Sequence, residues 1–431
     1  MQQDKVFLGM AGFGTVGSGL ARILEQNREW IQRRLGRELV LKTVLVRDLN
    51  KERTYLPDPA TRLTDDPREL LDDPEIDILV ELIGGTTTAR ELITRALEAG
   101  RPVVSANKAL LAEHGPELFE LAAANNTALY YEASVAGGMP IVQALKESLS
   151  GNRINSLTGI LNGTANYILS EMSATGMDFA DALALAQDKG YAEADPELDI
   201  EGLDAAHKLT VLIRLAYGQD YPLERLTVQG ISRVDPLDIQ VAGEFGYRIK
   251  LLAQVKDQSG HLQAGVYPAL VREDHILGKV EGPYNAVLLE GNAVGPIMLY
   301  GQGAGDLPTG SAVLADVMAI VRSQGRFNNT GFLEPRLPEA RILEPGLRVF
   351  RHYFRFTAQD RPGVLASIAG IMGEHDISIA QVVQKESHGG SSVPVVFLSH
   401  KAPLEEVLTA LKKISRQSFN TAPPVHYRII S

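Results

Sequence analysis

The chain has 431 residues, 45% of them apolar and 22% charged, with a formal net charge of −11 and no cysteine. That length suits about three domains at roughly 150 residues each, and the missing cysteine excludes disulfides, thiolate nucleophiles and Cys-ligated zinc. Basic residues form no stripe, no apolar run approaches membrane-spanning length, and the histidines show no paired-ligand spacing. Nucleic acid, membranes and a transition-metal site are therefore not expected.

Lys5–Met10 (KVFLGM) is an apolar run of strand type. It leads into Gly12-Phe13-Gly14-Thr15-Val16-Gly17 and then a helical stretch, Ser18–Asn27. A GxGxxG motif alone is a weak signal, but between a strand and a helix it reads as a dinucleotide fingerprint. The first glycine permits the tight turn, the second lets a pyrophosphate approach the backbone, and the third lets helix and strand pack closely. A second strand-like run, Leu39–Val46, ends at Arg47-Asp48, with Lys51 shortly after. An acid there suits a free ribose 2′-hydroxyl and an arginine a 2′-phosphate, so Arg47 favours NADP while Asp48 leaves NAD open.

Ile76–Ile83 reads as a buried parallel strand ending in Gly84-Gly85-Thr86-Thr87, and Pro102–Ser105 as another ending in Ala106-Asn107-Lys108. Ligands of doubly wound sheets sit beyond the carboxyl ends of strands, so Thr86 and Lys108 point at the cofactor cleft. Residues 1–140 thus form an α/β nucleotide-binding unit. Helical patterns follow at Leu145–Leu149, Ala180–Gln187 and Gly202–Tyr217. Between the last two lies an acidic run, Glu193, Asp195, Glu197, Asp199 and Glu201, opened by Gly190. Asp204 and Lys208 then stand one helical turn apart, either as an ordinary surface ion pair or as a shared proton network.

Strand patterns occupy Lys250–Lys256, Gln263–Ala269, Ala286–Glu290 and Ile297–Tyr300, with a turn at 257–260. Residues 141–300 therefore suggest an α+β substrate domain. Gly301–Gly305 (GQGAG), followed by the helical Ala312–Ser323, is either an ordinary loop or a wall of the cofactor cleft, completing the first domain over about 301–325. Residues 326–349 are polar and carry Pro335, Pro338 and Pro345, which reads as a linker. The remainder, 350–431, shows strands at Tyr353–Thr357, Ile377–Lys385, Pro394–Ser399 and His426–Ile430, with helices at Pro362–His375 and Leu404–Ile414. This βαββαβ order is ferredoxin-like.

Asp360-Arg361-Pro362-Gly363-Val364-Leu365 and His375-Asp376-Ile377-Ser378-Ile379 resemble the two signature elements of ACT domains. Many amino-acid-binding members have asparagine where this chain has Asp376. The whole chain resembles the homoserine dehydrogenase family in its longer, ACT-bearing form. The resemblance rests on the glycine fingerprint, Ser105–Lys108, Glu132–Gly138, Gly159–Ile168, Gly190–Lys208 and Gly303–Gly305 with Pro308-Thr309, in family order.

The resemblance implies reversible NAD(P)H-dependent reduction of aspartate 4-semialdehyde to homoserine, with Lys208 as proton donor, Asp204 orienting it or relaying its proton, and Lys108 near the nicotinamide. It implies Glu193, Asp199 and Thr164 at the substrate, and Gly190, Gly303 and Gly305 among the cofactor positions. Backbone carbonyls of Glu132, Val135, Gly137 and Met139 would ligate sodium or potassium. Asp360, Gly363, Val364, Leu365 and Asp376 would receive an amino-acid effector, threonine foremost. A cytoplasmic homodimer or homotetramer acting on a small molecule is expected. Two alternatives stand beside it: another oxidoreductase of a small amino acid, and a non-catalytic sensor of amino acids or nucleotides.

Overall fold

In the computed structural model, which describes residues 5–53, 55–384 and 392–430, the first apolar run becomes the centre of a six-stranded parallel sheet. Its strands lie in the order Arg62–Thr64, Glu38–Leu45, Lys5–Ala11, Ile78–Glu81, Val103–Ser105, Leu129–Tyr130. The order reverses beside Lys5–Ala11, where a doubly wound sheet opens a crevice for ligand. Leu8, Met10, Leu79, Val80, Val103 and Val104 are fully buried, as strands covered on both faces must be.

The fingerprint glycines answer to different constraints. Gly12 has φ +101°, and a Cβ there would meet the Leu82 carbonyl oxygen at 2.6 Å. A Cβ on Gly17 would press on the Gly12 carbonyl at 2.5 Å. Gly14 faces open space, so no protein contact demands its missing side chain. The helix it caps, Thr15–Gln26, has no side-chain N-cap, which leaves its first amides to a ligand.

The chain returns to this domain through the helix Asp306–Ser323, whose Val313, Leu314, Val317 and Ile320 join the core around Leu8, Met10 and Leu20. The helices meet without side chains between them: Gly19 lies against the backbone of Asp306, and Gly310 against that of Gly19 and Leu20. Arg22 pairs with Asp306 at 2.6 Å beside this contact.

Two compact units interleave along the sequence. One holds residues 1–163, 204–226 and 283–340, the other 164–203, 227–282 and 341–431. Apart from the parallel sheet, the first also holds an antiparallel ribbon of Ile154–Ile160, Tyr284–Gly291 and Gly295–Gln302. The stretch expected as a linker, 326–349, is tied down despite its composition. Asn329 bonds the Leu129 amide and the Thr127 carbonyl, and Pro338 and Ala340 bracket Asp220 in the first unit. Leu262 and Leu343 bond through their backbones, and Arg348 is buried against the Ala264 carbonyl, in the second.

In the second unit Tyr247–Gln258 and His261–Arg272 form a long antiparallel hairpin. Val425–Ile430 adds parallel to its second strand, and Val349–Gln359, Ser392–Ser399 and Ile379–Gln384 continue the sheet. Helices Val364–Glu374 and Leu404–Ser415 cover a core of Phe354, Phe356, Ile368, Phe397 and Val407. The helix expected from Pro362 starts two residues later, because Gly363 is left-handed at φ +88°. Lys385, the expected end of one strand, lies outside the described residues.

The contact between helices sets a stability expectation. Gly19→Ala places a methyl on the Asp306 backbone and should destabilise the protein by about 1–3 kcal/mol, read as a lower chemical-denaturation midpoint.

Candidate active site

Three segments of the first unit converge on one carboxylate. Asp204 opens the helix Leu203–Tyr217, whose buried stripe of Ala206, Leu209 and Ile213 fixes its roll, while Leu203 is exposed. The 3.6-residue period sets Lys208 one turn on, and its Nζ donates to Asp204 Oδ2 at 2.7 Å. Asn162, just past the strand Ile154–Ile160, donates to the same oxygen at 2.9 Å. Lys108, the first residue of the helix Lys108–Ala124, reaches Oδ1 at 3.2 Å.

The three side chains differ in exposure: 7% for Asp204, 11% for Lys208 and 40% for Lys108. Burial pushes the Asp204 pKa upward, but the ammonium groups of Lys208 and Lys108 and the bonds from Lys208 and Asn162 outweigh it and hold the carboxyl at about 2. The surface-pair reading does not describe this arrangement. Lys208 also donates to the Leu161 carbonyl at 2.8 Å, and Asn285 donates to that same carbonyl at 3.0 Å. Two of the three ammonium protons are thus engaged among the described residues.

Around the glycine turn, Phe13 and Val16 pack on the core and Thr15 begins the helix. Arg47 is exposed just beyond Glu38–Leu45, while the Asp48 carboxylate accepts the Asn50 amide at 2.8 Å. Thr86 caps Thr87–Glu98 through its backbone only, after Gly84 and Gly85 at φ +69° and +71°. Gly305, at φ +129°, starts the returning helix, and the Gly303 carbonyl accepts the Gly137 amide at 2.9 Å.

The loop 132–139 is buried and irregular, with Ala136 left-handed at φ +50°. Its carbonyls are hard oxygen donors. Those of Glu132 and Met139 already accept the Val135 and Ile141 amides, which leaves each a second lone pair. The Glu132 side chain accepts the amides of Val142 and Gln143 instead, and the Glu132 amide donates to Asp316 at 2.6 Å. Burial, and then the neighbouring Asp316 carboxylate, raises Glu132 to about 7; burial raises Asp316 to about 7 as well. Lys146, which burial lowers, stands over the Tyr130 ring at 3.9 Å. This grouping is not legible in the sequence, because Asp316 stands far along the chain from Glu132 and Lys146.

In the second unit, Thr164 donates to the Tyr191 carbonyl at 2.6 Å and so holds the loop after Gly190, which is left-handed at φ +74°. Glu193 is exposed and Asp199 half-buried in the single-turn helix Glu197–Ile200, where Asp195 accepts the Glu197 amide. Further on, Asp360 accepts from Gln384 at 3.4 Å, Val364 is buried, Leu365 is exposed and Asp376 is left-handed at φ +54°.

Three family models match the chain: the NAD binding domain of homoserine dehydrogenase over residues 12–132, homoserine dehydrogenase over 140–318, and the ACT domain over 352–416. Homoserine dehydrogenase of Neisseria gonorrhoeae is 41% identical over 414 residues, 95% of each chain. The chain belongs to the homoserine dehydrogenase family. That of Pseudomonas aeruginosa is 40% identical over 98% of each chain. A crystal structure of a homoserine dehydrogenase from Thiobacillus denitrificans superposes with a TM-score of 0.94 at 42% identity, covering 100% of this chain and 99% of that one. A hyperthermophilic archaeal homoserine dehydrogenase in complex with NADPH has a TM-score of 0.61 at 28% identity, over 76% of this chain and 99% of its own.

The chain is accordingly an NAD(P)-dependent oxidoreductase with an α/β nucleotide-binding domain, a small-molecule substrate and a C-terminal ACT domain. Among the described residues no helix is long and apolar enough to cross a membrane.

Proposed function

We propose that this protein reduces L-aspartate 4-semialdehyde reversibly to L-homoserine with NADPH, and that Lys208 gives the proton. The observation that carries this reading is a buried carboxylate bonded to two lysines, 2.7 Å from Lys208 and 3.2 Å from Lys108. Bound NADPH supplies the hydride. As the aldehyde oxygen gains negative charge, an ammonium beside it stabilises that charge and protonates it. Lys208 has a proton to offer there, its other two being engaged with Asp204 and the Leu161 carbonyl. A carboxyl held at about 2 is ionised throughout the neutral range, which supports an orienting role for Asp204 over proton relay. Lys108, the more exposed lysine, is assigned to the substrate oxygen and nicotinamide ribose side of the cleft.

Glu193 is assigned to the substrate α-ammonium group, and Asp199 and Thr164 to other positions of the substrate pocket. Gly12–Gly17, Thr86, Gly190, Gly303 and Gly305 are assigned to the cofactor. Preference for NADPH is supported by the exposed Arg47 and by an Asp48 carboxylate already engaged by a backbone amide. The carbonyls of Glu132, Val135, Gly137 and Met139 are proposed to hold sodium or potassium, an ion that would brace the loop rather than join the chemistry. Threonine is proposed at Asp360, Gly363, Val364, Leu365 and Asp376, at a contact between ACT domains of a homodimer or homotetramer in the cytoplasm. The left-handed backbone at Asp376 suits Asp as it suits Asn, so this substitution keeps the turn.

Lys208→Ala should lower kcat roughly 10²–10⁴-fold with a much smaller change in NADPH affinity, measured by steady-state kinetics and fluorescence titration. A near-normal kcat would return Lys208 to an ordinary ion pair. Arg47→Ala should raise KM for NADPH roughly tenfold or more and leave NADH nearly unchanged; equal effects would remove the basis for NADP preference.

For the ACT domain, removing everything after Leu347 is a poor test. It would strip Val425–Ile430 from the hairpin and leave Asp238 buried without Arg355. A point substitution is cleaner. Threonine should inhibit the full-length enzyme, and Asp360→Ala should weaken that inhibition roughly tenfold by removing one charged contact to the effector. Indifference of the full-length enzyme to threonine would reduce the domain to an assembly module.

A further inference from the structure

The strand Ile78–Glu81 is apolar until its last residue, and that residue is a wholly buried carboxylate. Glu81 lies in register with Ala11, which leads into the glycine turn, and with Ser105, which leads to Lys108. Its Oε1 accepts the amides of Ile83 at 2.9 Å and Gly84 at 3.3 Å, and its Oε2 accepts the Ser105 hydroxyl at 2.6 Å. Ser105 Oγ in turn accepts the Asn107 amide at 3.1 Å. Asn107 then closes the ring: its Nδ2 donates to the Gly85 carbonyl at 2.6 Å, and its Oδ1 caps the Lys108–Ala124 helix at the Leu110 amide.

We propose that Glu81 is a positioning residue for the reaction: it locks the loop 83–86 to the turn 105–107 and thereby fixes where Lys108 starts its helix. The inference rests on the proposed role of Lys108 and adds to it the group that sets that lysine's place.

The direction of the hydrogen bonds makes the residue type specific. Ser105 Oγ accepts from Asn107, so its one proton must go to an acceptor, and the two loop amides need an acceptor as well. A carboxylate satisfies three donors with four lone-pair sites. A glutamine in the same volume turns one oxygen into a donor, which either faces the loop amides or leaves the Ser105 proton without an acceptor. Burial pulls the Glu81 pKa upward, and the bonds from Ser105, Ile83, Gly84 and Asn107 oppose it. The net direction is upward, and the geometry of the ring, not its charge, ties the loop 83–86 to the buried turn at Ser105 and Asn107. Gly84 and Gly85 are both left-handed, and a Cβ on either would meet nothing within 4 Å, so hydrogen bonds rather than packing hold them.

The test uses the full-length enzyme with Glu81→Gln, Ser105→Ala, Lys108→Ala and the Glu81→Gln/Lys108→Ala double variant. Aldehyde reduction, NADPH binding by fluorescence, and thermal unfolding of the cofactor-free protein are measured on each. Glu81→Gln should lower kcat roughly tenfold or more while KM for the aldehyde and the NADPH Kd change by less than about threefold. Ser105→Ala should lower kcat in the same sense by roughly threefold, and carries the test if Glu81→Gln does not fold. In the Lys108→Ala background, Glu81→Gln should cost less than about a further twofold, because the lysine it positions is gone. A lower unfolding temperature with normal kcat per folded site overturns the proposal, as do losses that multiply in the double variant. Those results leave the Lys108 reading intact if Lys108→Ala is itself disabled. A normal kcat in Lys108→Ala removes that reading, and this proposal with it.

Discussion

A carboxylate taken out of water costs several kcal/mol unless its lone pairs are met by well-placed donors, and Asp204 is such a group. Its donors come from three places far apart in the chain: Lys208 from its own helix, Asn162 from the end of a strand, and Lys108 from the start of another helix. Each segment must therefore be folded before the charge is tolerable. The reverse also holds. Two ammonium groups drawn to one carboxylate would repel each other without it, so Asp204 makes it possible for Lys108 and Lys208 to stand close together.

The same logic extends outward from that carboxylate. Leu161 offers its carbonyl to Lys208 because the neighbouring strand brings Asn285 to the same oxygen. The returning helix Asp306–Ser323 closes on glycines, which keeps its first turn against the cofactor helix and its Asp316 against the Glu132 amide. The loop 132–139 is then clamped from both sides, by Asp316 and by the carbonyls of Gln302 and Gly303. The contacts of the returning helix and of the loop 132–139 fix backbone, and so hold the frame around them in place.

Local patterns make much of this legible. The strand–glycine–helix order locates the cofactor crevice, and the spacing of Asp204 and Lys208 puts them on one face of a helix, because both rest on contacts within a few residues. Partners distant in sequence are not legible. Asn162 and Asn285 carry no pattern that announces them, and Glu81 reads simply as part of an apolar strand, although a lone acid at the end of a buried run is a signal that its charge has a use. The stretch 326–349 departs from the linker its composition suggests for a related reason. Proline and polar composition describe how a segment looks, while Asn329, Pro338 and Arg348 are held by backbone groups far away. The resemblance to the family locates the acidic loop and the ACT elements, which periodicity alone leaves as surface.

The ACT segment is no appendage of its unit. Arg355, on its first strand, donates twice to Asp238 at 2.6 and 2.9 Å, and Tyr353 donates to the same carboxylate at 2.7 Å. Asp238 is wholly buried on the helix Pro236–Glu244, which lies outside the ACT segment. Leaving such a carboxylate without its guanidinium costs about 3–5 kcal/mol, so the strand cannot shift freely while that pair holds. The last strand, Val425–Ile430, is hydrogen-bonded on one side to the hairpin strand His261–Arg272 and on the other to Val349–Gln359. A ligand bound at the Gly363 turn would act on a helix packed over a sheet that is continuous with the hairpin. It needs no flexible tether to be felt there, because the elements that would respond are already part of one folded unit.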